Sequence, residues 1–221
     1  QLDSTLGSNE KKVCLKNYIK DLLSLNHADP KIIPCISSLL SVSWTLFFLS
    51  GGRLKGVLSN RALKQAIIDV SNVSDWLFEE SYNNVGDLAE TAALLWSVTY
   101  YENEQKCKAY SCDTLAIFVE KLLLIKKFTY EEKLKFLKKL ITDKSYYFIF
   151  TTYKLFTGAF RLGVSKNMII QVLSELSERS KEEVATNIVF FMNSPKERPV
   201  FLKWLFNNRF NIETGEINRF E

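Results

Sequence analysis

The chain has 221 residues, of which 47% are hydrophobic and 24% charged, and its formal net charge is +4 at pH 7. These values are typical of a globular protein with a sizeable core. No segment reaches the roughly 18–20 uninterrupted apolar residues of a membrane span, so we expect no membrane partner and a cytoplasmic protein. A net charge of +4 allows nucleic-acid binding without requiring it. Only the distribution of charged residues along the sequence can therefore indicate whether the chain binds nucleic acid.

Cysteine and histidine offer little for catalysis or for metal binding. Cys14, Cys35, Cys107 and Cys112 form no C-x-x-C pair, and we expect them to be reduced, partly buried thiols. The alternative is a zinc site built from Cys107, Cys112 and a distant third ligand. His27 is the only histidine and no Gly-Lys-Ser/Thr phosphate loop occurs, so the sequence predicts no catalytic residue and no metal site.

The distribution of proline and glycine predicts an all-α protein. Residues 35–194 contain no proline, and glycines away from the chain ends are confined to two turns and Gly86. Capping-box patterns begin at Asp87, Thr129 and Ser180, and Ser194 precedes a further helix that would start with proline. The predicted helices lie near 11–25, 31–49, 59–71, 74–82, 86–103, 111–126, 130–142, 144–157, 165–179, 181–193 and 195–206.

These helices predict one multi-helix domain over residues 1–206, made of two packed lobes. Residues 103–111 are largely polar and are expected to form a surface connection between the halves. Residues 207–221 are expected to form an irregular tail, or a linker to a further domain. The chain begins with Gln rather than Met, so we expect an N-terminus that was trimmed or that was chosen by design.

Two stretches share the pattern [S/T]-G-x-x-x-x-G-V, at residues 50–57 and 157–164. Each follows an apolar aromatic helix, contains basic residues, and leads to a serine, Ser59 or Ser165, that can cap the next helix. Glycine allows close approach of a foreign backbone, and a helix N-terminus offers free N–H groups, so each turn suits a phosphate. Two such turns would suit duplex nucleic acid, whereas the alternative is a pair of ordinary helix C-caps.

Eight lysines lie within residues 121–144. They form either a solvated helix face or a strip that faces phosphates, where each contact would add salt-dependent affinity. The acids in residues 75–80 are adjacent in sequence and would point to different sides of a helix. We therefore interpret them as helix-start charges beside a core formed by Trp76 and Phe78, rather than as a metal or acid–base pair.

Three blocks of the sequence resemble the N-terminal helical DNA-binding domain of ATP-dependent DNA ligases, particularly bacterial ligases that carry it ahead of the catalytic core. The first block is residues 46–56 with 75–80. The second is Val85-Gly86-Asp87-Leu88-Ala89-Glu90-Thr91, which resembles the family's Gly-Asp-Leu/Val helix start. The third and most specific is the glycine–arginine–glycine turn at residues 157–165. The resemblance spans roughly residues 40–193.

The resemblance implies an all-helical fold with internal pseudo-two-fold symmetry that binds the minor groove of duplex DNA around a nick. Non-sequence-specific contacts would serve a ligase in replication, repair or recombination, and in a bacterium the protein would associate with the nucleoid. Asp87 would act as a helix cap rather than as a DNA contact. By position, the DNA-binding residues would be Gly51, Arg53, Lys55, Gly56, Gly158, Arg161, Gly163, Ser165 and Lys166.

The sequence also departs from that family. It lacks the Lys-x-Asp-Gly adenylation motif and the OB-fold domain, so we expect no catalytic residue and no cofactor in this chain. ATP and Mg²⁺ are expected only for an attached ligase catalytic domain, which would be a partner in cis if the chain is an excised domain. We expect a monomer. The alternatives are a helical protein-interaction scaffold without DNA binding and, third, an independent enzyme.

Overall fold

The computed structural model describes residues 7–23, 36–100, 114–142, 144–158, 160, 162–193 and 197–206. This part of the chain is all-α and contains no strand, which confirms the predicted fold class. A short 3₁₀ helix, Ile125–Lys127, extends the sixth α-helix. The α-helices are α1 (Ser8–Leu22), α2 (Ile36–Leu49), α3 (Asn60–Ser71), α4 (Asp75–Val85), α5 (Leu88–Tyr100), α6 (Leu115–Leu124), α7 (Tyr130–Ile141), α8 (Tyr146–Thr157), α9 (Lys166–Ser177), α10 (Lys181–Asn193) and α11 (Glu197–Phe206).

Each predicted helix has a counterpart among these eleven, with small differences at the ends. Residues 24–25, 31–35, 101–103, 111–113 and 195–196 were predicted to be helical and lie outside the described residues, as do the predicted tail and surface connection. The capping serines and threonine account for the agreement. Ser59 accepts a hydrogen bond from the Ala62 amide, and Thr129 forms a full capping box with Glu132. Such caps act within one turn, so they can be recognised from sequence.

The chain divides into two compact units, each made of separate segments. The first unit contains Gln1–Ser50, Thr114–Ala116 and Arg161–Glu221, and the second contains Gly51–Asp113 and Ile117–Phe160. The chain therefore passes from one unit to the other within each of the two glycine turns. The single domain of two pseudo-two-fold-related lobes stays a prediction.

The first unit has a core built from α1, α2, α9, α10 and α11. Helix α1 packs against α2 and α9, and α11 packs against α2 and α10. Its core residues recur at helical spacing, as an amphipathic helix requires. Those residues are Leu15, Ile19, Leu23, Leu39, Val42, Leu46, Ile169, Val172, Leu173, Leu176, Val184, Ile188, Phe201, Leu202, Leu205 and Phe206.

The second unit is organised around α5 and α8, which pack against each other. Ala89, Ala92 and Ala93 are fully buried on α5, and their small side chains allow close helix approach. Helix α3 packs against both α5 and α7. The buried Tyr153 hydroxyl on α8 donates a hydrogen bond to the Leu63 carbonyl oxygen at 3.0 Å, which joins α8 to α3.

Trp76 does not belong to the core, contrary to the prediction. Its side chain is 71% exposed, whereas Phe78 is 1% exposed. Residues two apart in an α-helix point to nearly opposite sides, so only one of the two aromatics can face the interior. The charges of residues 75–80 are consistent with the helix-start interpretation, because Asp75 lies in the first turn of α4.

Among the described residues, Cys14 has a free, half-buried thiol, as predicted. Cys35, Cys107, Cys112 and His27 lie outside these residues, so the zinc alternative built on Cys107 and Cys112 lies there too. None of the described helices has the length and apolar character that crossing a membrane would need.

Candidate nucleic-acid interface

The first glycine turn, residues 51–57, is anchored on one side and exposed on the other. Leu54 and Val57 are buried, and the Leu54 amide donates a hydrogen bond to the Leu155 carbonyl oxygen at 2.8 Å. The other predicted site residues of this turn face solvent, which leaves two cationic side chains and two glycines accessible. The exposed residues are Gly51, Arg53, Lys55 and Gly56.

Gly158 begins the second turn at the end of α8, in the same unit as the first turn. Its φ of 80° and ψ of −163° fall in a region that essentially only glycine adopts. A Cβ at Gly158 would lie 3.4 Å from Cβ of Arg53. The fold therefore brings Arg53 and Gly158 together, although the sequence separates them by about a hundred residues.

The rest of the second turn belongs to the first unit, where Gly163 is exposed and has a φ of 67°. The Lys11 ammonium on α1 donates a hydrogen bond to the Leu162 carbonyl oxygen at 2.7 Å. A Cβ at Gly163 would lie 2.9 Å from Nζ of Lys11, which is too close. No local sequence pattern connects Lys11 with this turn, so the sequence alone does not point to it.

The helices that follow the two glycine turns, α3 and α9, each carry a basic residue in their first turn, and we call these two first turns the basic helix starts. The Ser165 hydroxyl accepts from the Met168 amide at 3.1 Å, and Ser59 caps α3 in the same way. The first turns of α3 and α9 contain no acid and instead carry exposed Arg61 and Lys166. By contrast, the first turns of α1, α4, α5, α7 and α10 contain Asp or Glu. Those of α2, α6 and α8 contain neither an acid nor a basic residue, so a base without an acid distinguishes α3 and α9 from these eight helices.

This contrast bears on electrostatics, because the N-terminus of a helix is its positive end. An acid there is favourable, and a base adds like charge. Two basic helix starts therefore concentrate positive potential at the places where amide N–H groups are available to an anion. Arg61 was absent from the predicted site, although its place beside the Ser59 cap was a usable signal.

Asp87 acts as the predicted helix cap, and it also has a buried partner. Its Oδ1 accepts from the amides of Ala89 and Glu90, and its Oδ2 lies 2.6 Å from Nζ of Lys154. Burial raises the pKa of the Asp87 carboxyl, but the hydrogen bonds from Lys154 and the two amides outweigh it and hold the pKa below its ordinary value. The pair joins the start of α5 to α8, one turn before Gly158.

The lysines of residues 121–144 do not form one continuous strip. Lys138 pairs with Asp69 at 2.5 Å. Lys135 and Lys139 are exposed on the side of α7 opposite the buried Leu137. Exposure of this kind is common to both alternatives, a solvated helix face and a strip that faces phosphates, so neither is tested. Lys126 differs, because it lies beside the first glycine turn: a Cβ at Gly56 would be 3.8 Å from its Cε.

The acidic side chains of residues 75–80 are not arranged as a metal site or as an acid–base pair. Glu79 forms an ion pair with Lys64, and Lys64 is also 3.8 Å from Asp75. Over the described ranges, no group of three His, Cys, Asp or Glu side chains could hold a metal ion. The carboxylates therefore serve as surface charges in the part of α4 that the structure describes.

The predicted site residues fall into three sets. Gly51, Arg53, Lys55, Gly56 and Gly158 lie in the second unit, where the first turn and the end of α8 adjoin. Gly163, Ser165 and Lys166 lie together in the first unit, at the start of α9. Arg161 lies outside the described residues. Each unit thus carries a glycine with positive φ, a basic side chain and a serine-capped helix start.

Comparison with known proteins bears on what these turns do. No curated protein matches the sequence. A family model described as the DNA ligase N terminus matches residues 1–174, so it includes the first 40 residues, which the sequence resemblance had left out. Both glycine turns and the Gly86-Asp87 helix start lie within the matched residues. Because the match covers well over half of the 221 residues, the chain belongs to the family of DNA ligase N-terminal domains.

Proposed function

We propose that this chain binds the backbone of duplex DNA around a nick, without sequence specificity, as the DNA-binding part of an ATP-dependent DNA ligase. The family itself supports a role related to DNA ligase. The nick, the contacting residues and the minor-groove geometry are our proposal. Replication, repair and recombination all generate nicked duplexes, and we propose that the protein serves these processes in a bacterial cell.

The observation that carries the proposal is the pair of basic helix starts. Helices α3 and α9 follow the two glycine turns, and their first turns carry Arg61 and Lys166 without any acid. Five other helices place an acid there, in accord with the helix dipole, and the first turns of α2, α6 and α8 carry neither an acid nor a base. A bound phosphate would supply the negative charge that these two helix ends lack. The exposed glycines beside them leave room for a sugar–phosphate backbone.

Such contacts explain affinity and position, but they do not read bases. Amide N–H groups, arginine and lysine bind phosphate oxygens that are the same at every base pair. In the proposed complex, Arg53 and Lys55 contribute charge from the first turn, and Ser165 and Lys166 contribute from the second. Ser165 would act through the helix that it caps, because its hydroxyl already accepts from the Met168 amide.

We propose no cofactor and no catalytic residue for this chain. The adenylation chemistry of the ligase family needs a lysine in a Lys-x-Asp-Gly motif, and this sequence contains no Asp-Gly pair. ATP and Mg²⁺ would belong to a catalytic domain in cis. We further propose that the chain is a monomer in the cytoplasm, associated with the nucleoid through its DNA.

The test measures affinity of the 221-residue chain for nicked duplex, intact duplex and single-stranded DNA of equal length over a salt series. We expect tighter binding to the duplexes, with nicked DNA preferred. We also expect affinity to fall steeply as salt rises, because each neutralised phosphate releases counterions. Failure to bind duplex at low salt, or affinity that does not respond to salt, would overturn the proposal.

A helical protein-interaction scaffold is the second candidate function, and one observation favours it. Trp76 is 71% exposed on α4 beside the exposed Leu77, among three acidic side chains. An exposed tryptophan in an apolar patch that is surrounded by charged side chains is typical of protein-interaction sites. If the chain fails to bind duplex DNA, this surface becomes the leading candidate for function.

A further inference from the structure

A lysine from a helix that is distant in sequence lies beside the second glycine of each turn. In the second unit, a Cβ at Gly56 would lie 3.8 Å from Cε of Lys126. In the first unit, a Cβ at Gly163 would lie 2.9 Å from Nζ of Lys11. Gly56 and Gly163 occupy the same position in the repeated pattern, and both are exposed with positive φ. The repeat therefore extends beyond the turns to a neighbouring cation.

Lys126 is held in place by its backbone while its side chain stays exposed. The preceding Ile125 is 1% exposed, and the Phe128 amide donates to the Ile125 carbonyl oxygen at 3.0 Å to close the 3₁₀ helix. The aliphatic part of a lysine can lie along such a surface while its ammonium group reaches solvent. No carboxylate pairs with Lys126 in the described ranges, in contrast to Lys138, which pairs with Asp69.

Among the described residues, the Lys11 ammonium has one hydrogen-bond partner, and that partner carries no charge. Its partner is the neutral Leu162 carbonyl oxygen, at 2.7 Å. An ammonium group has three donors, so two remain for another acceptor. Lys16 on the same helix is neutralised by Glu175 at 2.9 Å, whereas the described residues supply no such partner for Lys11. A half-buried cation of this kind favours a nearby anion.

We propose that Lys126 and Lys11 each contact a DNA backbone phosphate, beside Gly56 and Gly163 respectively. The absence of a side chain at each glycine lets a phosphate come close to the lysine. The lysine ammonium would pair with the phosphate charge, and the glycine turn would leave the space that the phosphate needs. This inference rests on the proposed duplex binding and adds two residues that lie outside the repeated glycine pattern and outside the three resembling blocks of the sequence.

The experiment compares Lys126→Gln and Lys11→Gln with two control variants that remove one charge each. Lys135→Gln changes the solvent side of α7. Lys20→Gln lies on the other side of α1 from Lys11, about 13 Å along the helix axis. Each test variant should lower the slope of log affinity against log salt by about 0.9 and weaken binding roughly five- to tenfold at about 0.1 M salt. The controls should change the slope little.

The outcomes separate this inference from the function on which it rests. If the unaltered chain does not bind duplex DNA, the proposed function fails, and the inference fails with it. If the unaltered chain binds and the test variants keep its salt slope, only the inference fails. A purely structural role for Lys11 would lower the urea midpoint of unfolding and leave the slope unchanged. That result would overturn the inference for Lys11.

Discussion

Nζ of Lys154 lies 2.6 Å from Oδ2 of Asp87, and the Lys154 side chain is only 3% exposed. The Lys154 ammonium also lies 5.5 Å from the centre of the Phe150 ring. The ion pair therefore fixes the Gly86-Asp87 helix start against α8, whose next turn ends at Gly158. Through this contact, a residue that need not touch DNA determines where a proposed DNA-binding turn begins.

Asp87→Asn should cost more stability than Lys154→Met. Asparagine can still cap α5, but it removes the carboxylate that pairs with the buried Lys154 ammonium, and we expect a loss of about 3 kcal/mol in the free energy of unfolding. After Lys154→Met, Asp87 keeps its two amide hydrogen bonds and the favourable helix dipole, so we expect about 1–2 kcal/mol. Urea unfolding of both variants measures this, with exposed Glu90→Gln as the control. Equal losses would contradict the described pairing.

The same pair should make stability depend on pH in the acid range. The pKa of Asp87 is lower in the folded chain than its ordinary value of 3.8, so the folded state favours the ionised form. The stabilisation is therefore complete above that ordinary value and is lost as pH falls through the lower folded pKa. Urea unfolding of the parent chain and Asp87→Asn, from about pH 7 to about pH 2, should show a difference that shrinks only in the most acid samples. A constant difference would contradict the prediction.

Gly158→Ala and Gly158→Asp should separate backbone strain from charge. Both place a Cβ at a φ of 80°, 3.4 Å from Arg53, so both should lose about 1–3 kcal/mol of stability. Gly158 is buried beside Arg53, unlike the exposed Gly51, Gly56 and Gly163, and only Gly158→Asp adds a negative charge next to this proposed phosphate contact. We therefore expect much weaker duplex binding by Gly158→Asp than by Gly158→Ala under conditions where both are folded. Equal binding by the two would mean that this turn does not approach DNA.

Local signals explain why the helices could be predicted from the sequence. Ser59, Thr129 and Ser165 bond to amides three residues ahead, so each helix start depends on a few neighbouring residues. The glycine turns could be located for a similar reason, because four glycines at fixed spacing all have positive φ. Their functional interpretation depended on the family resemblance, since such a turn is also a common helix C-cap.

The remaining features depend on contacts between residues that are distant in sequence. Lys11 and Leu162 are 151 residues apart, and no periodicity relates them. Lys126 is one of eight lysines in residues 121–144, and the sequence does not show which of them adjoins Gly56. Trp76 was placed in the core because α4 is short and carries aromatics on more than one side, so its sequence does not define one buried face.

Trp76→Ala and Phe78→Ala should have very different effects on stability. Phe78 is 1% exposed, so its truncation leaves a cavity and should cost about 3–5 kcal/mol. Trp76 is 71% exposed, so its truncation should change stability by less than about 0.5 kcal/mol. Urea unfolding followed by circular dichroism measures both. A large loss from Trp76→Ala would show that this side chain is covered in solution.

The basic helix starts lead to a prediction in which stability and binding change in opposite directions. Asn60→Asp and Asn167→Asp place an acid in the first turns of α3 and α9, where both residues are exposed. The helix dipole favours the new charge, so each variant should be more stable by about 0.3–1 kcal/mol. The same charge would repel a phosphate at the helix start, so duplex binding should weaken and become less sensitive to salt.

Asn17→Asp, at an exposed position within α1, provides the matched control, because it changes net charge equally without adding an acid to a helix start. Urea unfolding and a salt series of duplex affinities measure the two effects on the same samples. If Asn60→Asp and Asn167→Asp gained stability and bound DNA as well as Asn17→Asp does, the helix starts would lie outside the interface. The basic residues in the first turns of α3 and α9 would then need an explanation unrelated to phosphate.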